Sequence, residues 1–311
     1  MADEVDANLC YVCTGCGGLV PEVRRQAHEA FWCTCAAASG EGSPRASGSS
    51  RRLRALLSTQ YAPVVSVHLS FLCGRTLRFR QCVWHDAKDP HGPDAQECTG
   101  GQMWWSEVVL AEYLAMTSLA MPLARRPVIS LGCGAAPVSA YAALFLGAQV
   151  LCTDLPDVLP LAAENAAANE KKLLPSRSPR MVGCLDFLPL TFGEPPSPEV
   201  CDWLRQRLGG RLVVCSDCLW QAHRHAALAQ TLACILGQDY DASEALLSYQ
   251  LRDGDELDFF RLLPEFGLAS EELDVSSAVA RVEFPPQLRG ATDPARHFCL
   301  HRVWCPRSPD A

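Results

Sequence analysis

This sequence predicts a doubly wound α/β fold, a mostly parallel seven-stranded sheet with an N-terminal β-hairpin extension. Three observations carry the expectation. From about Trp105 the chain alternates helical and extended apolar patterns to its end. A short apolar strand runs straight into the glycine turn LGCGAA, with Gly132 and Gly134. A carboxylate, Asp154, follows the next apolar strand at 154 − 132 = 22 positions after the first glycine.

The elements follow in order. Cys10, Cys13, Cys16, Cys33 and Cys35 mark a cysteine-rich opening. Their spacing is not a clean pair of CxxC knuckles, so packing is expected there and no metal. The run from Ala36 to Ser50 is small and helix-breaking, a flexible linker. Residues 1–60 are therefore set apart from a domain spanning 61–311. Two β-rich runs flank Cys73 and Gly74 and read as the hairpin.

Leu110, Tyr113, Leu114 and Thr117 then give a helix starting near Trp105. Val128 to Leu131 is a strand, and Val138, Tyr141, Ala142 and Phe145 mark a helix that Gly147 stops. Gln149 to Thr153, Met181 to Cys184, Leu212 to Cys215 and Ala245 to Tyr249 supply further strands. Helices are expected at Asp157 to Asn169, at His223 to Ile235 and around Phe259 to Phe266. Two β-like runs in the tail from Leu273 to Trp304 suggest an antiparallel strand at the sheet edge.

Composition narrows the function. A net charge of −8 over 311 residues argues against a nucleic-acid surface, which needs concentrated Lys and Arg. The acidic start MADEVDANLC is unlike a secretory leader, and no run is long and apolar enough to span a bilayer. A monomer in the cytosol or nucleus, with its 17 cysteines reduced, is expected. The third glycine of a dinucleotide fingerprint is absent, because Pro137 stands in its place, and this disfavours a nicotinamide or flavin cofactor.

Taken together, TGGQMWWSEVVLAEYL (Thr99 to Leu114), VISLGCG, TDLPDVLPLAAENAAAN, VVCSDCLW (Val213 to Trp220) and LLSYQLRDGDELDFFRLLPEFGL form a set. That set resembles the seven-strand protein lysine methyltransferases of methyltransferase family sixteen, from about Val64 onward. The resemblance implies S-adenosyl-L-methionine as cofactor and an unidentified protein as substrate. By the same resemblance Trp104 packs at the cofactor, Gly132, Cys133 and Gly134 wrap its methionine portion, and Asp154 with Leu155 holds the ribose. Asp186 is expected at the adenine, and Ser216 among the cofactor-binding residues. The Asp-x-x-aromatic motif, here Asp217 to Trp220, would border the target amine, with Trp in place of the usual Tyr. Relatives usually carry an acid where Ser130 stands.

The chemistry is coherent. An amine nucleophile must be neutral, and stripping a lysine of its proton near neutral pH costs about 4 kcal/mol. An aromatic wall that desolvates the amine lowers that cost and tolerates the methylammonium product. Asp217 would orient the amine, or instead cap the following helix, and Trp220 could be ordinary core. His223 and His225 read as solvated residues or a substrate rim. Alternatives to lysine methylation are a histidine or small-molecule amine acceptor, or a binding module without activity, motivated by Ser130.

Overall fold

The computed structural model describes residues 10–12, 19–21, 64–72, 75–81, 98–173, 184–207, 209–219, 221–237, 243–252, 254–284 and 298–306. The chain divides into two compact units, Met1–Thr59 and Gln60–Ala311. In the first, β1 (Cys10–Val12) pairs antiparallel with β2 (Leu19–Pro21), Cys10 opposite Pro21. The expected linker, Ala36 to Ser50, lies outside the described residues.

The second unit opens with the expected hairpin, β3 (Val64–His68) antiparallel to β4 (Thr76–Arg80). Val65, Val67, Leu77 and Phe79 alternate inward and are buried, as period-two patterning requires. Then come α1 (Trp105–Thr117), β5 (Pro127–Leu131), α2 (Val138–Phe145), β6 (Gln149–Asp154) and α3 (Leu159–Leu173). The chain continues through β7 (Cys184–Pro189), α4 (Pro198–Arg205), β8 (Leu212–Ser216), α5 (His225–Leu236) and β9 (Glu244–Gln250). It closes with α6 (Glu256–Leu262), β10 (Ala269–Glu272), α7 (Ser276–Val279) and β11 (Phe298–Trp304).

Seven strands form one sheet in the order β10-β11-β9-β8-β5-β6-β7. β7, β6, β5, β8 and β9 are parallel, while β11 runs antiparallel to both β9 and β10. The strand order reverses between β5 and β8, so a crevice opens at their carboxyl ends, which positions the site. Successive residues serve opposite faces: Val128, Val150 and Val214 join one apolar cluster with α1, α2 and the hairpin. Ile129, Leu151 and Val213 join the other, with α4, α5 and α6. Burial on both faces explains why these strands read as continuous apolar runs.

Three elements differ from the sequence expectation. The tail strand HFCLHRVW is internal, because β10 pairs along its outer side and becomes the edge. β10 itself precedes Leu273, and the chain after it folds into α7. β7 starts where the expected strand ends, at Cys184, its apolar signal diluted by Asp186 and the exposure of an edge strand.

Polar side chains fasten the hairpin to this body. Asn165 and Asn169 on α3 each donate to and accept from the β4 backbone, at Arg80 and Arg78, with distances of 2.8–3.0 Å. They satisfy the open edge of β4 as a neighbouring strand would. Glu112 on α1 accepts from the backbone and hydroxyl of Ser70.

Candidate active site

The crevice holds a cavity of about 310 Å³. Its floor is the turn after β5, where Gly132 and Gly134 both have φ of +61°, a conformation that suits glycine. A Cβ on Gly132 would stand 2.6 Å from the sulfur of Cys218. Two bonds fix the turn: Cys133 N–H donates to Thr153 O at 3.0 Å, and Ala135 N–H donates to Gly100 O at 2.6 Å. The second ties the segment TGGQMWW across the turn as a wall of the cavity.

Asp154 stands at the tip of the adjacent strand. One carboxylate oxygen accepts from Gly134 N–H at 2.8 Å and the other from Leu155 N–H at 2.7 Å. Burial raises its pKa, and those two N–H groups oppose the rise. The acid and the glycine turn that the sequence places 22 positions apart are thus in direct contact.

Of the residues predicted from sequence, Trp104, Gly132, Cys133, Gly134, Asp154, Leu155, Ser216 and Asp217 all line the cavity. Asp186 does not. On β7 it sits level with Leu151, three residues short of the strand tip, where Trp203 Nε1–H donates to it at 2.8 Å and Arg207 pairs with it at 3.4 Å. Leu190, Thr191 and Phe192, beyond the strand end, occupy that side of the cavity instead. Helix α4, which brings Trp203, has no counterpart in the sequence expectation, because Pro195, Pro196 and Pro198 mask a single eight-residue amphipathic stretch.

Asp217 is buried with φ of +51°, a left-handed turn that Asp tolerates. It caps no helix. One oxygen takes the Arg252 guanidinium at 2.9 Å and the Gln250 N–H at 3.1 Å, and the other accepts from the Ser106 hydroxyl. With both oxygens engaged, Asp217 is an anionic post that holds Arg252 5.5 Å from the centre of the Trp104 ring. Trp220 lies outside the described residues.

The two histidines part company. His223 is exposed and absent from the cavity wall. His225 is neither rim nor solvated: it is buried, its Nε2 is 2.9 Å from Leu219 O, and its ring meets Phe259 edge-on. Gln221 and Arg224, beside them, are the residues that reach the cavity.

Glu107 is a cavity carboxylate that the sequence reading passed over. It is buried, and burial pushes its pKa up to about 7 against the Ser139 backbone N–H that donates to it at 2.8 Å. Its signal was an acid inside the apolar helix SEVVLAEYL, directly after two tryptophans.

Comparison with known proteins now decides the family. Residues 92–266 match the sequence model of a methyltransferase family described as lysine methyltransferase. The chain belongs to this family. S-adenosylmethionine is its cofactor, and the cavity fits that group: an acid faces the glycine turn, and Gly132 and Gly134 put no side chain into the space. Residues 6–34 match a C2HC zinc finger model, in the cysteine-rich opening where the spacing of cysteines alone predicts packing and no metal. No curated protein shows significant sequence similarity to the chain.

Solved structures to which the chain is similar include a SAM-dependent methyltransferase from Agrobacterium tumefaciens at 14% identity and TM-score 0.45, covering 79% of this chain and 71% of that one. Magnesium protoporphyrin IX methyltransferase from Synechocystis PCC 6803, with bound SAM, has 16% identity and TM-score 0.40, covering 71% and 88%. Mitomycin 7-O-methyltransferase has 16% identity and TM-score 0.42, covering 70% of this chain, which spans 59% of that enzyme.

Proposed function

We propose that this chain transfers a methyl group from S-adenosylmethionine to a nitrogen, a lysine ε-amine of a protein substrate. The observation that carries the reading is the meeting of Asp154 with the Gly134 backbone across adjacent strand tips. The cofactor supplies a methyl group on a sulfonium cation. The chain's residues do the rest by binding and orientation. Asp154, pre-set by two N–H donors, presents oxygen lone pairs to a ribose diol. The turn at Gly132 to Gly134 lets the backbone approach the methionine portion. Trp104, with Arg252 above it, and Phe192 restrict water around the transfer path.

Asp217 serves by position. Its charge fixes Arg252 and, through Ser106, the start of α1, so it shapes the acceptor side of the cavity without acting as a free base. Trp220 is proposed as the desolvating wall for the amine, following the Asp-x-x-aromatic motif. The lysine acceptor itself rests on the description of the family.

Incubation of the full chain with labelled cofactor and a cell lysate tests the reading. Label in hydrolysed protein as methyl-lysine supports it. Label in methyl-histidine or in small molecules only refutes the acceptor, and binding of S-adenosylhomocysteine without any label supports a binding module.

A second proposal concerns residues 6–34. The run offers Cys13 and Cys16 as a C-x2-C pair and His28 five positions before Cys33, a donor set that suits tetrahedral zinc. Cys13 and Cys16 fall in the connection between the paired strands β1 and β2. Metal analysis of the purified chain checks this, with about one zinc per chain expected and loss of that zinc in Cys16→Ser.

A further inference from the structure

Ser130 does not reach the cavity. Although buried on β5 next to the glycine turn, it lines no part of the cavity, and its carbonyl oxygen is taken by the Thr153 hydroxyl at 2.9 Å. The carboxylate that does reach the cavity from this side is Glu107. It stands in the first turn of α1, and among the described residues the Ser139 N–H, in the first turn of α2, donates to one of its oxygens while no hydrogen bond reaches the other. Among the described residues no cationic side chain pairs with it. A buried, ionisable acid that faces a cavity and has no cation of its own is a receptor for one from outside.

We infer that Glu107 receives the cationic α-amino group of the cofactor's methionine portion, in a position that Ser130 leaves without an acid. The inference rests on the cofactor reading of the cavity and assigns one subsite within it. The glycine turn belongs to the methionine end of the ligand and Asp154 to its sugar, and Glu107 is tied by the Ser139 N–H to the first turn of α2, the helix that the glycine turn leads into. The ammonium offers three donors, and the unengaged Glu107 oxygen accepts one in a charge-assisted bond.

The surrounding charges set the pH dependence. Asp217 and Asp154 face the same cavity, and Asp217 adds to the rise that burial gives the Glu107 pKa. The thiols of Cys133 and Cys218, which also feel Glu107, are themselves pushed up by neighbouring thiols and burial and stay neutral. Arg252 is committed to Asp217, and Arg224 stands exposed at the mouth. With its pKa pushed up to about 7 by burial, Glu107 carries a proton part of the time near neutral pH, and an arriving ammonium expels it.

Two ligands separate the outcomes in calorimetry on the full chain: S-adenosylhomocysteine, and 5′-methylthioadenosine, which keeps the nucleoside thioether but lacks the amino-acid group. Glu107→Gln keeps an oxygen for Ser139 N–H. At pH 8 it should weaken S-adenosylhomocysteine about tenfold or more, and methylthioadenosine by less than about twofold. In wild type, S-adenosylhomocysteine should bind more tightly from pH 6 to 8 with proton release, measured in two buffers of different ionisation enthalpy. That signal needs no variant. Equal weakening of both ligands, or none, overturns the assignment, as does wild-type binding without proton release near pH 7. An unchanged S-adenosylhomocysteine affinity with a raised KM for the protein acceptor would move Glu107 to the substrate amine and overturns it too. If wild type binds neither ligand, the cofactor reading of the cavity fails first.

Discussion

Glu107 has a consequence for stability that is independent of any ligand. Replacing it with Gln removes a group that must lose its proton against burial. In the folded chain its pKa is about 7, against an ordinary value of 4.5. A carboxyl whose folded pKa is raised favours the native state fully below its unfolded pKa, and that contribution is lost as pH climbs through the folded value. Between pH 5 and 7 wild type should lose roughly 2 kcal/mol relative to the Gln variant, somewhat under the full slope of about 1.36 kcal/mol per pH unit because titration is partial at both ends, and little further above pH 8. Urea unfolding of both proteins without ligand at pH 5, 6, 7 and 8 reads this directly, with the slope m checked for constancy. The Gln variant should gain on wild type as pH rises. Parallel curves would refute the reasoning, because a carboxylate that stays ionised in the fold needs a partner the structure does not give it.

Further outcomes follow from the same geometry. Gly132→Ala forces a Cβ to 2.6 Å from Cys218 Sγ at a φ of +61°. Loss of about 1–3 kcal/mol in urea unfolding is expected, only partly restored by Cys218→Ala, because the backbone strain remains. Arg252→Ala leaves Asp217 buried without its cation and should cost about 2–3 kcal/mol, with Asp217→Asn in the same chain recovering part. Asp186→Asn should leave S-adenosylhomocysteine affinity within about twofold by calorimetry, since Asp186 lies outside the cavity wall. Asp154→Ala should weaken the same ligand more than about tenfold, through loss of the ribose acceptor and of the brace on Gly134 N–H.

Local signals and tertiary ones divide cleanly along this chain. The glycine turn, Asp154 and the apolar strands around them were legible because each expresses a short-range rule: glycine for positive φ, apolar runs for strands covered on both faces, an acid one strand further on. Asp217 was found for the right place and a different purpose. Its spacing marks the strand end, but only packing brings Arg252, Gln250 and Ser106 to its oxygens. Asp186 failed for a similar reason. Its distance along the sequence fits an adenine contact, whereas the strand register sets it three residues below the tip and α4 carries Trp203 onto it.

The sequence by itself determined the alternation of strands and helices apart from α4 and the tail, the turn after the first strand of the seven-stranded sheet, and the acid that answers it, since these depend on residues a few positions apart. Which carboxylates face the cavity, and which are already spent on a guanidinium or an indole, was decided by the tertiary structure. Ser106, Glu107 and Ser139 are remote in sequence from the partners that give them meaning, and burial sets the charge of Glu107 only once the fold removes it from water.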